Sequence, residues 1–336
     1  MKDGVMTSDS HTRHATLKGF LCAMTATVLL CTNYVTAKYA LSEPGAQGDG
    51  SGGFNSDTFS LVWTASAAVY SLVIVLLFRE GRCLAVGRKA VVSVILLGVA
   101  TAGGMLFGWA GLSRLDPSFS SFLLRFAAVL TILLGVGVLG EKVRLKEAIP
   151  IALMVVGGLL SSYGRWNVVG TGVILTLLAC CCIATQFLIA KMNIGRITPN
   201  VLVFYRTAVG TAVIAIWVFA FGKVDFNVER SRWLVAFLGA FLGPSVGHVF
   251  LYLSLRYWDM SRTAIVRTSG PLFVLPMSFL FLSRLPTTAQ LAGGCVILAG
   301  AFWLAWIHLR KKPAAQPHIQ DGTLTEESRE SQGNVE

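Results

Sequence analysis

The chain has 336 residues, of which 54% are hydrophobic and only 13% charged, with a mean hydropathy of +0.66. A soluble domain carries about 25% charged residues, so this chain cannot cover itself with water-facing side chains, and composition leaves the class of multi-span membrane proteins. The net charge of +11 does not point to nucleic acid, because Lys and Arg concentrate in short loops between apolar runs, as they do on the cytoplasmic side of membrane proteins, and no soluble domain carries a basic face.

Almost every apolar run is interrupted by Gly, Ala, Ser or Thr, as close helix packing in lipid requires. The alternation of a transmembrane barrel over roughly ten-residue segments is absent, so the expected fold class is an all-α integral membrane protein. Residues 1–15 read as a frayed cytoplasmic tail. The first apolar run, about 16–40, exceeds the h-region of a signal peptide, roughly 7–15 residues, and is expected to be retained as a span. Residues 42–57 are Gly-rich and read as a flexible external loop. Further spans are expected at about 58–78, 90–111, 117–139, 145–163, 170–190, 199–221, 232–255, 261–283 and 286–308, ten in all. Each is near the ~20 residues that cross a bilayer. Residues 310–336 are polar and expected to be a disordered cytoplasmic tail.

The chain contains one stretch twice. Adding 143 to residues 104–158 aligns them without a gap to 247–301, placing Phe107 on Phe250, Trp109 on Tyr252, Leu112 on Leu255 and Asp116 on Asp259. A shift of 153 places Asn33 on Gln186, Tyr34 on Phe187 and Lys38 on Lys191, and a shift of 142 places Leu61 on Val203. Residues 16–163 and 170–309 are therefore expected to be two five-span repeats. With the N-terminus inside, 17 Lys and Arg fall at cytoplasmic ends and 7 at the opposite ends, so both termini are expected in the cytoplasm and the chain in the cell (inner or plasma) membrane. Because five is odd, the repeats enter the membrane in opposite directions, as in many secondary carriers with a midplane site.

Gly135, Gly137 and Gly140 fit GxGxxG but lie in an apolar span without strand–turn–helix context, and read as helix-contact residues rather than a phosphate cradle. Gly239, Gly243 and Gly247 form a stripe for close helix approach. The seven cysteines show no metal-ligand spacing and no disulfide framework, so neither cofactor nor metal is expected. The informative residues are charges inside spans, each costing roughly 2.5–3.5 kcal/mol at a helix centre. Arg125 and Arg267 each lie about eight residues into a span, on the order of 12 Å deep, from opposite sides. They read as mirror partners, one per entrance, and Arg206 sits similarly in the seventh span. Such guanidinium groups either bind an anionic group or are fixed by helix-end carbonyls in a structural part. His248 is open to a proton-linked role or to hydrogen-bonded packing. All 17 acids fall in tails, loops or span edges, so no carboxylate relay is visible. Asn33 with Gln186, and Trp109 with Tyr252, are repeat-equivalent pairs suited to line a pathway or to pack between helices.

Together these residues resemble an EamA-type member of the drug/metabolite transporter superfamily. The resemblance covers about 16–308 and rests on Asn33 to Lys38 closing the first span, Leu139 to Glu141 closing the fourth and Phe204 to Arg206 in the seventh. Leu251 to Tyr257 closing the eighth and Gly270 with Pro271 in the ninth complete it. It implies ten spans, a central cavity lined largely by the third, fourth, eighth and ninth, and carriage of small metabolites. The chain departs from the pattern at Arg284, Ala128 and Thr64, where a glutamate, a proline and an arginine would stand.

The expected function is a secondary transporter, an exporter of small organic metabolites such as amino acids or other anionic or zwitterionic compounds. It would work by alternating access, with the pathway formed by Arg125, Arg267, Arg206, His248, Trp109, Tyr252, Asn33 and Gln186. The expected partners are a small-molecule substrate and the lipid bilayer, with a homodimer left open. The alternatives are a multi-span enzyme acting on lipid, which would need acids or histidines clustered at one membrane face, and a non-transporting sensor or assembly subunit.

Overall fold

The computed structural model describes residues 3–41, 52–84, 87–139, 149–150, 152–153, 156–157, 166–221, 224–258, 263, 266–267, 269–283 and 287–309. In chain order the helices are α1 (Asp3–Ala40), α2 (Ser56–Leu77), α3 (Arg88–Arg114), α4 (Pro117–Leu123), α5 (Phe126–Leu139), α6 (Trp166–Asn193) and α7 (Pro199–Phe221). They continue with α8 (Arg230–Ala240), a π-helical segment (Phe241–Gly247), α9 (His248–Tyr257), α10 (Gly270–Leu282) and α11 (Thr288–Leu309). Six stretches are long and apolar enough to cross a bilayer: Leu17–Ala40, Ser56–Leu77, Ala90–Arg114, Gly170–Asn193, Pro199–Phe221 and Arg230–Tyr257. The expected fifth span, the turn at Asp259, Glu141, Arg284 and the C-terminal tail from 310 lie wholly or largely outside the described residues.

Three local departures from the expected elements have physical causes. The backbone of α1 is already helical from Asp3, where a frayed tail was expected. The loop after α1 ends in an anchored residue, not a flexible one: the Phe54 amide donates to Ala40 O at 2.9 Å and its ring is fully buried, wedged against Phe59 and Trp233. The expected continuous span 117–139 is broken between α4 and α5. The Arg125 amide turns back to Phe122 O at 3.0 Å, and the Arg125 side chain takes Ser121 O, Nε to O 2.9 Å. A side chain thus supplies the hydrogen bond that the helix ladder gives up at the break.

The eighth span is interrupted by Pro244, which has no N–H to continue the i→i−4 ladder. Ser245 Oγ instead donates to Ala240 O at 3.0 Å and lies 3.3 Å from Ala67 O of α2. The turn widens to π geometry, a form that tends to accompany functional positions. The glycine stripe works as packing: a Cβ at Gly239 would lie 2.4 Å from the Trp63 ring, and one at Gly243 would lie 1.7 Å from Asn33 Oδ1.

Helix α1 places the ends of α3 and α9 on opposite sides. Near its start, Gly19 packs on Trp258 just beyond α9, where a Cβ would lie 2.5 Å from the indole. Near its end, Lys38 Nζ donates to Leu112 O at 3.2 Å and Ser113 O at 3.0 Å, at the end of α3. The helix between Gly19 and Lys38 is about 28 Å long at 1.5 Å per residue. Along α6 the order is reversed: Gly172 packs on Leu115 just beyond α3, and Lys191 Nζ donates to Leu255 O at 3.1 Å and Trp258 O at 3.2 Å. Each lysine serves carbonyls at a helix end, where the ladder of amide donors runs out; Leu112 O accepts from the Leu115 amide as well. Lys38→Met and Lys191→Met are each expected to cost about 1.5–3 kcal/mol, the worth of hydrogen bonds to a charged group. Thermal unfolding of the detergent-solubilised protein checks this, and an unchanged midpoint in both variants would refute the capping role.

The core divides in two. Phe187, Leu202, Val203, Leu251 and Leu255 gather where α1, α6, α7 and α9 meet. Phe54, Phe59, Trp63 and Trp109 form an aromatic cluster near the opposite end of α1. Outward faces carry Leu77, Ile216, Phe219, Leu280 and Phe281, the apolar surface a bilayer requires.

Candidate functional site

Between the two core clusters lies a cavity of about 120 Å³. That is about four times the ~30 Å³ a water occupies in the liquid, and well below the 300–1,000 Å³ of pockets for drug-sized ligands. It suits a small metabolite.

Seven of the eight residues singled out above line this cavity: Asn33, Trp109, Gln186, Arg206, His248, Tyr252 and Arg267. Arg206 comes from α7 and is 1% exposed. Its Nε donates to Thr101 Oγ1 at 3.2 Å, the Tyr252 hydroxyl lies beside it, and its Nη1 has no hydrogen-bond partner among the described residues. Arg267 holds its guanidinium 4.6 Å from the centre of the Phe187 ring, a cation–π contact with α6. Among the described residues one ion pair forms, Arg232 with Glu229 at 3.7 Å on the surface. Neither cavity arginine therefore meets a carboxylate there.

His248 opens α9, and its Nδ1 lies 3.3 Å from Gly243 O. A carbonyl can only accept, so this hydrogen bond puts the proton on Nδ1 and, in the neutral ring, the lone pair on Nε2. The π segment thus sets both the position and the tautomer of the histidine. The two repeat-equivalent amides are held differently. Gln186 Nε2 donates to Ala100 O of α3 at 3.0 Å. Asn33 Oδ1 rests on Gly243 with no hydrogen-bond partner among the described residues.

Arg125 is placed otherwise. It is absent from the cavity wall, 7% exposed, and its guanidinium donates to the carbonyl of Arg267, with the Tyr34 hydroxyl at 3.5 Å. Gly270 leaves room for it, since a Cβ there would lie 3.2 Å from Nη1. The two arginines therefore meet inside the bundle; they do not stand at separate entrances. Arg125 joins the break in the fourth span to the chain just before α10, while Arg267 keeps its side chain for the cavity. Sequence reasoning also passed over Met105, Gly108, Tyr34 and Phe187 as lining residues. The 143-residue shift pairs Met105 with His248, and the 153-residue shift pairs Tyr34 with Phe187, so the repeat held the signal for three of them.

A helical membrane protein with an arginine-lined cavity at the meeting of its helices has the form of a transporter of small molecules. Residues 17–163 and 170–306 each match the EamA-like transporter family, and the chain belongs to that family, within the drug/metabolite transporter superfamily. An uncharacterized transporter of Archaeoglobus fulgidus is 26% identical over 199 residues, 59% of this chain and 70% of the relative. A WAT1-related protein of Arabidopsis thaliana is 30% identical over 38% of this chain and 39% of its own. The pseudopaline exporter CntI of Pseudomonas aeruginosa is 25% identical over 71% of this chain and 83% of its own. A crystal structure superposes with a TM-score of 0.61 at 15% identity, covering 87% of this chain and 99% of the other. That likeness establishes the fold.

Proposed function

We propose that this protein is a secondary carrier of small organic anions or zwitterions, working by alternating access between two inverted five-span repeats, residues 16–163 and 170–309. The observation that carries the substrate class is the pair Arg206 and Arg267 on the cavity wall, with no carboxylate partner among the described residues. A buried cation without a counter-ion is costly, and an anionic cargo would supply the missing charge.

The inverted repeat is supported by contacts that recur under the sequence shifts. Lys38 on the end of α3 corresponds to Lys191 on the end of α9, and Gly19 against Trp258 corresponds to Gly172 against Leu115. The bias of Lys and Arg supports cytoplasmic termini in a plasma or inner membrane, and the exporter among the relatives favours outward transport.

The test is counterflow in proteoliposomes with labelled carboxylates, amino acids and phosphorylated metabolites. Unlabelled cargo inside should draw labelled cargo in at least tenfold faster than into empty vesicles. Folded protein that exchanges none of the panel would overturn the reading. A sensor or assembly subunit would give that result, and a lipid-modifying enzyme would convert its substrate without exchange.

A further inference from the structure

We propose that the cargo is an amphiphile, with an anionic head on one wall of the cavity and an apolar body on the other, and that Gly108 sets the size of that body. This rests on the carrier reading above and goes further into its substrate.

The repeat gives the cavity two walls built from equivalent positions. Under the 143-residue shift Met105 pairs with His248, Gly108 with Leu251 and Trp109 with Tyr252, and all six residues line the cavity. The chemistry of the two walls has diverged. The α9 side offers an imidazole and a phenol beside Arg206 and Arg267, whereas the α3 side offers a thioether, a bare backbone and an indole. The Trp109 Nε1 is buried and has no hydrogen-bond partner among the described residues. Thr64, which pairs with Arg206 under the 142-residue shift, is fully buried and off the wall. Arg125 is bound to Ser121 O and Arg267 O. Among the described residues the guanidinium groups that reach the cavity are those of Arg206, on α7, and of Arg267, just before α10 and against Phe187 of α6. Leu124, just beyond α4, and Ile183 of α6 extend this side, on which Ser120 and Gln186 are the polar lining residues. A solute charged along its whole length would find few partners there.

Gly108 is the open point of that wall. A Cβ at Gly111 would lie 2.6 Å from Thr176 Oγ1 and 3.1 Å from Gly172 O, so that glycine is demanded by packing between α3 and α6, and one at Gly104 would lie 2.8 Å from Gln186 Nε2 and displace the amide. Among the described residues a Cβ at Gly108 would meet only Ala179 Cβ, at an ordinary 3.7 Å. Packing does not require glycine here, and its repeat partner is the bulky Leu251. The missing side chain is space for cargo.

The experiment is competition for counterflow in proteoliposomes, using linear aliphatic monocarboxylates of increasing length and, as hydrophilic controls, dicarboxylates of matched length. In the wild type, affinity should rise about fourfold for each methylene that the apolar wall buries, then fall once the chain outgrows the cavity. The dicarboxylates should bind at least tenfold more weakly. Gly108→Val should move the optimum to a shorter chain and keep the shortest acids within about twofold of wild type. Gly108→Ala should shift it in the same direction by less, and is read instead if the valine variant unfolds in a melting assay. Affinity that ignores chain length, or a Gly108→Ala effect equal for all acids, would overturn the amphiphile inference and leave the anion carrier standing. No exchange of any anion by folded protein would overturn both.

Discussion

Arg206→Ala is expected to lower organic-anion exchange in proteoliposomes by about a hundredfold or more, with Arg267→Ala close behind. Removing one partner of a desolvated charge pair costs about 2–5 kcal/mol, and each 1.4 kcal/mol is a factor of ten. Arg206→Lys should recover only part of the rate, because an ammonium cannot keep the Nε bond to Thr101 Oγ1 while also presenting a planar fork to an anion. Arg125→Ala separates structure from transport. It leaves the carbonyls of Ser121 and Arg267 without the donor they have now, so its main effect should be a lower melting temperature, corresponding to about 2–6 kcal/mol at 1–3 kcal/mol for each of the two groups. Flux and unfolding measured on the same preparations decide it. If Arg206→Ala and Arg267→Ala exchange anions as fast as Arg82→Ala in the short 3-10 helix after α2 (Glu80–Leu84), these arginines are not the anion site.

Gly243→Ala is expected to be among the most damaging small substitutions in the chain. Its new methyl would lie 1.7 Å from Asn33 Oδ1 and 2.4 Å from Asn33 Cγ, an overlap that requires Asn33 to leave its rotamer or α1 and the π segment to separate. Overpacking of this kind costs about 1–3 kcal/mol and occasionally more, and separation would also release Ser245 from Ala67 O and disturb the carbonyl that holds His248. Asn33→Ala in the same chain should restore most of the lost stability, because it removes the atom in the way. The double variant would then be more stable than Gly243→Ala alone, a coupling that distant sites do not show. Melting temperature and the monodisperse fraction in detergent report it. No rescue by Asn33→Ala would mean that the clash lies elsewhere.

Much of this architecture is legible in the residues because membrane helices obey few rules. Apolar runs of bilayer length, glycines at close contacts and the bias of Lys and Arg all reach the sequence directly. The residues lining the cavity were legible where the repeat doubled them, as with Trp109 and Tyr252. Features set by single hydrogen bonds escaped. The break at Leu124 and Arg125 has no proline or glycine to announce it, and depends on a side chain reaching Ser121 O. Pro244 was in view, but the glycines around it explained the eighth span well enough to hide the loss of an amide. The separate entrances given to Arg125 and Arg267 came from counting depth on each span alone. Two groups about 12 Å deep from opposite faces of a hydrocarbon core ~30 Å thick are only about 6 Å apart in height. Equal depth from opposite sides therefore predicts a meeting near the middle.

The π segment bears on how two halves of unequal length keep matching faces. One residue added to a continuing α-helix would turn the remainder by about 100°, and a π turn, which takes up one more residue than an α turn, cancels that rotation. His248 and Tyr252 come directly after it, so their direction depends on that cancellation. The offset between the halves is 142 where Thr64 meets Arg206 and 143 where Gly104 meets Gly247, so the second half gains one residue over the interval that contains Phe241–Gly247. A single inserted codon absorbed there would leave every residue that follows on the face it held before. That agrees with Met105, Gly108 and Trp109 in one half and His248, Leu251 and Tyr252, their equivalents beyond the π segment, all facing the same cavity.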